Sequence, residues 1–433
     1  MRAAVRAASR RHGLSAVLVA VLLGSGACAT APGDGEASLA DEGGAAPGLI
    51  APGAGPGVAL VPDLGPGQRP ALATDEAGWW MVMDRAESKL RTAGNLVRDE
   101  ALNRYVKGIV CRLAGPYCPD IRVYLLRVPY FNASMAPNGV MQVWTGLLLR
   151  TRNEAQLAAV LGHELGHYLR RHTLHRWRDA KSTTSALIFF QIGAALGGVP
   201  AVGQIARLIA MGSITAFSRD QERESDRMGL RLMTEIGYDP RESAKLWQNL
   251  IREDEADEDK KARFIFFSTH PAPEERSETL KRLAEVALKA GPAVETGDER
   301  FRDIVLPHRQ EYLRDELRLR RFSRFEELLK MLVEDGVDTG ELHFFQGELY
   351  RLRDKKADGD KEGDTDDRDK ALAAYAKALG AGGAPPEIHR SLGLIHLKSG
   401  QSEKAWAAFA KYLELKPDAD DIEIIKSMMQ PMG

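Results

Sequence analysis

At 433 residues the chain is too long for one simple domain, and its length predicts two. A formal net charge of -2 excludes a protein held to nucleic acid by bulk charge. With 28% charged and 44% hydrophobic residues, the balance is that of an ordinary globular protein.

Arg2, Arg6, Arg10 and Arg11 precede a short apolar run, Leu14 to Leu23, and small residues then lead to Cys28. This predicts a secretory signal over residues 1–28, with an apolar core too short to span a bilayer comfortably. Ser25-Gly26-Ala27-Cys28 resembles a bacterial lipoprotein cleavage site, at which Cys28 becomes the lipid anchor. Ala27-Cys28-Ala29 also fits an ordinary Ala-x-Ala processing site; the run's ending at a cysteine favours the lipoprotein. No acidic residue follows Cys28, so the resemblance implies an outer-membrane anchor facing the periplasm. Residues 29–75 are rich in Gly, Pro and Ala without periodicity, which predicts a flexible tether.

Residues 82–114 read as helical, with Leu90, Val97, Leu102, Tyr105, Val106 and Ile109 near helical spacing. Cys111 and Cys118 flank a turn at Gly115-Pro116, which predicts a disulfide in an oxidising compartment; the plainer alternative is two buried thiols. Residues 121–128 read as a strand. Asn138-Gly139 marks a tight turn into a second strand from Val140, and Pro137 suggests a sheet edge.

The apolar-periodic run Glu154 to Gly162 predicts a buried helix that leads into His163-Glu164-Leu165-Gly166-His167. Histidines at i and i+4 lie on one helix face and can share one zinc ion. Glu164, beside them, can take a proton from the attacking water, the layout of a zinc hydrolase that cuts peptide bonds. His172 and His175, on what reads as a continuation of this helix, are expected to be exposed or to support the ligands. Between Thr184 and Phe217 only Arg207 is charged, and glycines and a proline interrupt the apolar stretch 185–206. A broken hairpin over the site fits better than a membrane span.

A zinc hydrolase needs a third protein ligand and an open position. Ser218 to Leu230 predicts a second helix carrying Glu222, Glu224 and Asp226, and spacing alone does not choose among them.

His163-Glu-Leu-Gly-His167 followed by Glu222-Arg-Glu224-Ser-Asp226-Arg-Met-Gly resembles the metallopeptidases that include the HtpX heat-shock proteases, the CAAX prenyl proteases and the periplasmic BepA/YfgC-like proteases. Their second motif is typically Glu-x-Glu-Ala-Asp, with Ser225 here in place of alanine. The resemblance implies zinc held by His163, His167 and Glu224, with Asp226 orienting a ligand histidine and Glu222 as a helix-face or substrate-side acid. Asn132-Ala133-Ser134-Met135-Ala136-Pro137-Asn138-Gly139 resembles the family's edge strand, to which an extended substrate can add. Ser268-Thr269-His270-Pro271, with Arg276 six places beyond the histidine, resembles a further motif of the BepA-like members. His270 is expected either to stabilise the oxyanion or, as that resemblance implies, to fill the open zinc position at rest.

In the C-terminal third, Leu392-Gly393, Ala405, Phe409 and Pro417 fall at tetratricopeptide positions. Gly347, Tyr350, Ala371, Tyr375 and Ala378 mark an earlier unit, interrupted by the acidic stretch 354–369. The expected fold is α+β and mainly helical: a zincin-like metallopeptidase domain with a small sheet over 76–295, then an all-α tetratricopeptide-like domain over 300–425. The expected function is a zinc endopeptidase of the bacterial envelope with one Zn2+, polypeptide substrates, protein partners on its repeats and a lipid-anchored periplasmic location. The resemblance alone implies quality control of outer-membrane proteins. A periplasmic chaperone or assembly scaffold working through the repeats, and an integral-membrane protease, are the competing readings.

Overall fold

The fold is a computed structural model that describes residues 65–181, 217–257, 264–289, 291, 293–336, 339–353 and 365–430. The signal segment with Cys28, most of the tether and the apolar stretch 185–206 lie outside the described residues. Among those described, no helix is long and apolar enough to cross a membrane.

Residues 82–114 form two helices rather than one, α1 (Asp75–Leu90) and α2 (Glu100–Ala114). The break has a backbone cause. Val97 N–H donates to Leu125 O, Arg127 N–H donates to Asn95 O, and Leu96 bridges Leu126, so this segment edges the sheet. Asp99 then caps α2 by accepting from Leu102 N–H. Cys111 and Cys118 are joined as a disulfide across the turn that follows.

The sheet has three strands, β1 (Arg122–Leu126), β2 (Ala133–Met135) and β3 (Val140–Trp144), in the order β1-β3-β2. β1 runs parallel to β3, and β2 pairs antiparallel to it with Ser134 opposite Gln142. The turn between β2 and β3 passes through Pro137, Asn138 and Gly139. Gly139 takes φ 85°, which favours glycine. β2 is left as an edge strand.

Glu87 ties α1 to this sheet. Its buried carboxylate accepts from Arg122 at 2.7 Å and from the Tyr124 hydroxyl at 2.7 Å, and it also pairs with Arg91. The Arg122 hydrogen bond outweighs the opposing effect of burial and lowers Glu87 to about 2, below the ordinary 4.5. A depressed carboxylate stabilises the fold above its unfolded pKa, and that contribution is lost as pH falls from 4.5 toward about 2. Glu87→Gln is expected to cost about 1–2 kcal/mol at pH 7, after discounting for the partly exposed partner. In urea melts the gap from wild type should shrink at pH 3; an undiminished gap would assign the loss to packing.

After β3, the short helix α3 (Thr145–Arg150) leads to α4 (Glu154–Leu169), which carries the histidine motif and is capped by Asn153, whose side chain accepts from Gln156 N–H. α4 ends at Leu169. Arg171 adopts φ 55°, and α5 (His172–Lys181) starts anew, so His172 and His175 do not continue the motif helix. α6 (Arg219–Glu235) opens with a capping box between Ser218 and Gln221. It lies against α4 at near backbone contact: a Cβ on Gly229 would sit 2.7 Å from His163 N. α7 (Arg241–Glu255), α8 (Ile265–Thr269) and α9 (Pro273–Leu288) close the far side of the site.

The rest is helical: α10 (Asp298–Val305), α11 (Arg309–Arg318), α12 (Phe322–Glu334), α13 (Gly340–Arg353), α14 (Thr365–Ala381), α15 (Glu387–Lys398), α16 (Ser402–Leu415) and α17 (Ile422–Met428). α13 packs on α14, and α15 on α16. Each pair docks an aromatic ring on bare backbone. A Cβ on Gly347 would meet Tyr375 at 2.3 Å, and one on Gly393 would meet Phe409 at 2.4 Å.

One apolar cluster includes buried residues from Leu102 to Ile395, on both sides of residues 295–300. Beside that core, buried Arg150 of α3 binds Glu253 of α7 and Glu316 of α11. Phe264 lies beneath both Arg150 and Arg324.

Candidate metal centre and active site

α4 presents His163, Glu164 and His167 on one buried face. α6 brings Glu222 to them across the close helix contact, and the segment after α8 brings His270. One donor atom from each of His163, His167, Glu222 and His270 falls within 4.8 Å of all the others. His163 Nε2 lies 3.0 Å from His167 Nε2 and 3.2 Å from His270 Nδ1.

The surrounding hydrogen bonds assign the tautomers. His163 Nδ1 is 3.0 Å from Asp226 Oδ1, so it carries the proton and leaves Nε2 bare. Arg276 Nη2 is also near that nitrogen, but it is committed to Asp226 at 2.6 Å. On the other ligand, His167 Nδ1 faces His172 Nδ1 at 2.9 Å, and His172 Nε2 faces Glu224 Oε2 at 2.9 Å. The carboxylate requires a proton on His172 Nε2, so His172 Nδ1 accepts from His167 and the second Nε2 is bare as well. Two imidazole lone pairs and the Glu222 carboxylate thus converge in a dry site, an arrangement that a divalent cation satisfies.

Burial, followed by the positive field of Arg276, lowers His163 to about 4 and keeps it neutral. Burial also holds His167 well below its ordinary value. Burial opposes ionisation of Glu222, but the nearby Arg276 charge holds it well below the carboxylate range. Arg276 lies 2.6 Å from Glu222 and chelates Asp226, with its guanidinium stacked over Trp247. Burial raises Glu164 to about 7, and its Oε1 has no hydrogen-bond partner.

The structure corrects the third ligand. Glu224 is 38% exposed and pairs with His172 and Arg170, outside the cluster that Glu222 joins. The cause is helical phase: Glu222, Ser225, Asp226 and Gly229 share the face toward α4, and two positions on from Glu222 the side chain points about 200° away. The sequence contained a usable signal. If Asp226 serves a histidine, its i−4 neighbour Glu222 lies on the same face, and the small residues Ser225 and Gly229 mark the helix contact.

Asp226 and Arg276 sit beside His163, and His270 sits inside the cluster. His270 Nε2 is 3.5 Å from Glu164 Oε1. Asn132 precedes the edge strand and Ala133 opens it, while Pro137 and Gly139 form its turn. The Met135 backbone hydrogen-bonds to Glu164, which sets β2 against the catalytic carboxylate. Of the two alternatives expected for His172, exposed or supporting a ligand, it takes the second, buried between His167 and Glu224; sequence reasoning missed the ring of Phe217, stacked on His167 at 3.7 Å. A lone phenylalanine after an apolar stretch gives no local signal for that role.

Residues 97–284 match the family model of peptidase family M48. The match takes in α2 through most of α9, less than half of the chain. Peptidases of the M48 family are zinc metalloproteases. The chain is 31% identical over 198 residues to the mitochondrial metalloendopeptidase OMA1 of Schizosaccharomyces pombe, covering 46% of this chain and 55% of that protein. It is 26% identical over 239 residues to the beta-barrel assembly-enhancing protease of Escherichia coli strain K12, covering 53% and 48%. The match to OMA1 of Arabidopsis thaliana is 31% over 179 residues, covering 40% and 34%. The chain spans about half or less of the length of these relatives.

Proposed function

We propose that the protein is a zinc-dependent endopeptidase of the bacterial cell envelope that acts on outer-membrane proteins. The observation that carries the proteolytic reading is the convergence of two bare imidazole nitrogens and a carboxylate beside the unpartnered Glu164 Oε1. His163, His167 and Glu222 would hold a zinc ion, which would supply Lewis acidity to the scissile carbonyl and to the attacking water. Glu164 takes the proton of that water through Oε1 and returns it to the leaving amine. Asp226 fixes the ring of His163, and His172 fixes that of His167. β2 offers its free edge to an extended substrate, which places a peptide carbonyl over Glu164.

His270 would serve as the resting fourth ligand, and its withdrawal would open the position that substrate needs. Its Nδ1 at 3.2 Å from His163 Nε2 supports this over an oxyanion role, which would hold it away from the ligand set. His270→Ala is expected to leave casein cleavage unchanged or raise it severalfold; a large loss would favour the oxyanion role.

The envelope setting rests on the signal-like N-terminus and on the likeness to the beta-barrel assembly-enhancing proteases. The repeated aromatic-on-glycine docking of α13–α14 and α15–α16 supports a tetratricopeptide-like array that holds polypeptide. Casein digestion with and without a chelator, restored by zinc, tests the enzyme; digestion indifferent to chelation would refute it. Fractionation of a Cys28→Ala variant tests the anchor, and unchanged membrane association would count against it.

A further inference from the structure

The C-terminal helices carry a groove that the peptidase chemistry does not use. Cavities of about 590 Å3 and 370 Å3 both touch Arg314 and Glu387, so they form one channel across α11, α13 and α15. Leu317, Phe344 and Phe345 supply an apolar floor to the smaller one. Its charges do not cancel. Each carboxylate lining the channel already has its own cation: Glu341 pairs with Arg309 at 2.5 Å, Glu387 with Lys416 at 2.7 Å and Glu348 with Arg351 at 2.6 Å. Arg314 stands 3.7 Å from the Glu387 oxygen that Lys416 occupies. Arg320 is exposed, lies over Phe322 and donates only to the Leu352 carbonyl; no carboxylate among the described residues pairs with it.

We propose that this channel binds an extended polypeptide segment in which acidic side chains alternate with apolar ones, the acidic groups meeting Arg314 and Arg320. One guanidinium whose nearest carboxylate is already held more closely by Lys416, and a second paired with no carboxylate among the described residues, favour beside an apolar floor a ligand that supplies both features, since a guanidinium binds carboxylates in a planar, two-pronged geometry. Binding here deepens the reading of the C-terminal helices as a polypeptide-holding array and rests on it.

The test uses the full-length, zinc-loaded Glu164→Gln protein and fluorescence anisotropy. Three fluorescein-labelled peptides of equal length alternate leucine with aspartate, with serine or with lysine. The aspartate peptide is expected to bind ~10-fold more tightly than the serine peptide, with affinity falling as salt rises. Arg314→Glu should abolish that preference and the milder Arg320→Gln should reduce it. Arg104→Glu, on the exposed face of α2, should change nothing. Equal binding of all three peptides overturns the charge selection while leaving a polypeptide-holding array intact. Affinity unaffected by Arg314→Glu overturns the location. An oligothymidylate that displaces the peptide and binds more tightly overturns the proposal in favour of a nucleic acid. Absence of binding by every peptide overturns the array reading as well, while the casein assay reads the zinc site independently.

Discussion

Replacing Glu164 with glutamine is expected to reduce peptide cleavage by ~10²–10⁴-fold while the protein keeps its fold and its metal. Glu164 is not in the ligand cluster, so the amide leaves His163, His167 and Glu222 in place. What the amide cannot do is accept a proton. Glu164 Oε1 is the unpartnered buried oxygen beside the cluster, and no neighbouring carboxylate is free to replace it. Glu222 is held by Arg276, and Asp226 by Arg276 and His163. Metal analysis and circular dichroism alongside the casein assay separate loss of chemistry from loss of structure. Cleavage at the wild-type rate would remove Glu164 from the mechanism.

Glu222→Gln and Glu224→Gln are expected to differ sharply in metal content. The first removes a charged oxygen from a dry donor set and should leave the dialysed protein largely without zinc. The second disturbs a hydrogen bond two steps from the ion, through His172 to His167, and should weaken binding ~10–100-fold while stoichiometry at saturating zinc is preserved. Metal titration against a competing chelator measures both. If Glu224→Gln emptied the site and Glu222→Gln left it full, the helical phase assigned to α6 would be wrong. Substitution of Glu222 also leaves the buried guanidinium of Arg276 with one carboxylate fewer, so a thermal melt should accompany the titration.

Much of the site was legible because its chemistry is local. His163, Glu164 and His167 lie within one and a half helical turns, and Asn138-Gly139 declares its turn by backbone conformation. The Cys111–Cys118 pair likewise needed only a turn between near neighbours. What was not legible depended on long-range packing. The choice between Glu222 and Glu224 is decided by which face of α6 meets α4, and that follows from Gly229 lying almost on the backbone of His163. The helical pattern of residues 82–114 concealed a break, because Val97 satisfies its N–H on Leu125, a strand residue nearly thirty positions away. The place of His270 follows from the packing of α8, where Phe266 stacks on the imidazole.

The Arg150–Glu253–Glu316 triad has a practical consequence for anyone wishing to dissect this molecule. A truncation that removes α11 would strip one anion from a guanidinium only 3% exposed and take Leu313 and Leu317 out of the shared apolar core. The catalytic half would then carry a charge imbalance and a raw oily face where the missing helices had rested. The helices of the candidate site and the C-terminal helices share one interior, so inactivity of such a fragment would report damage to that interior before it reported anything about catalysis.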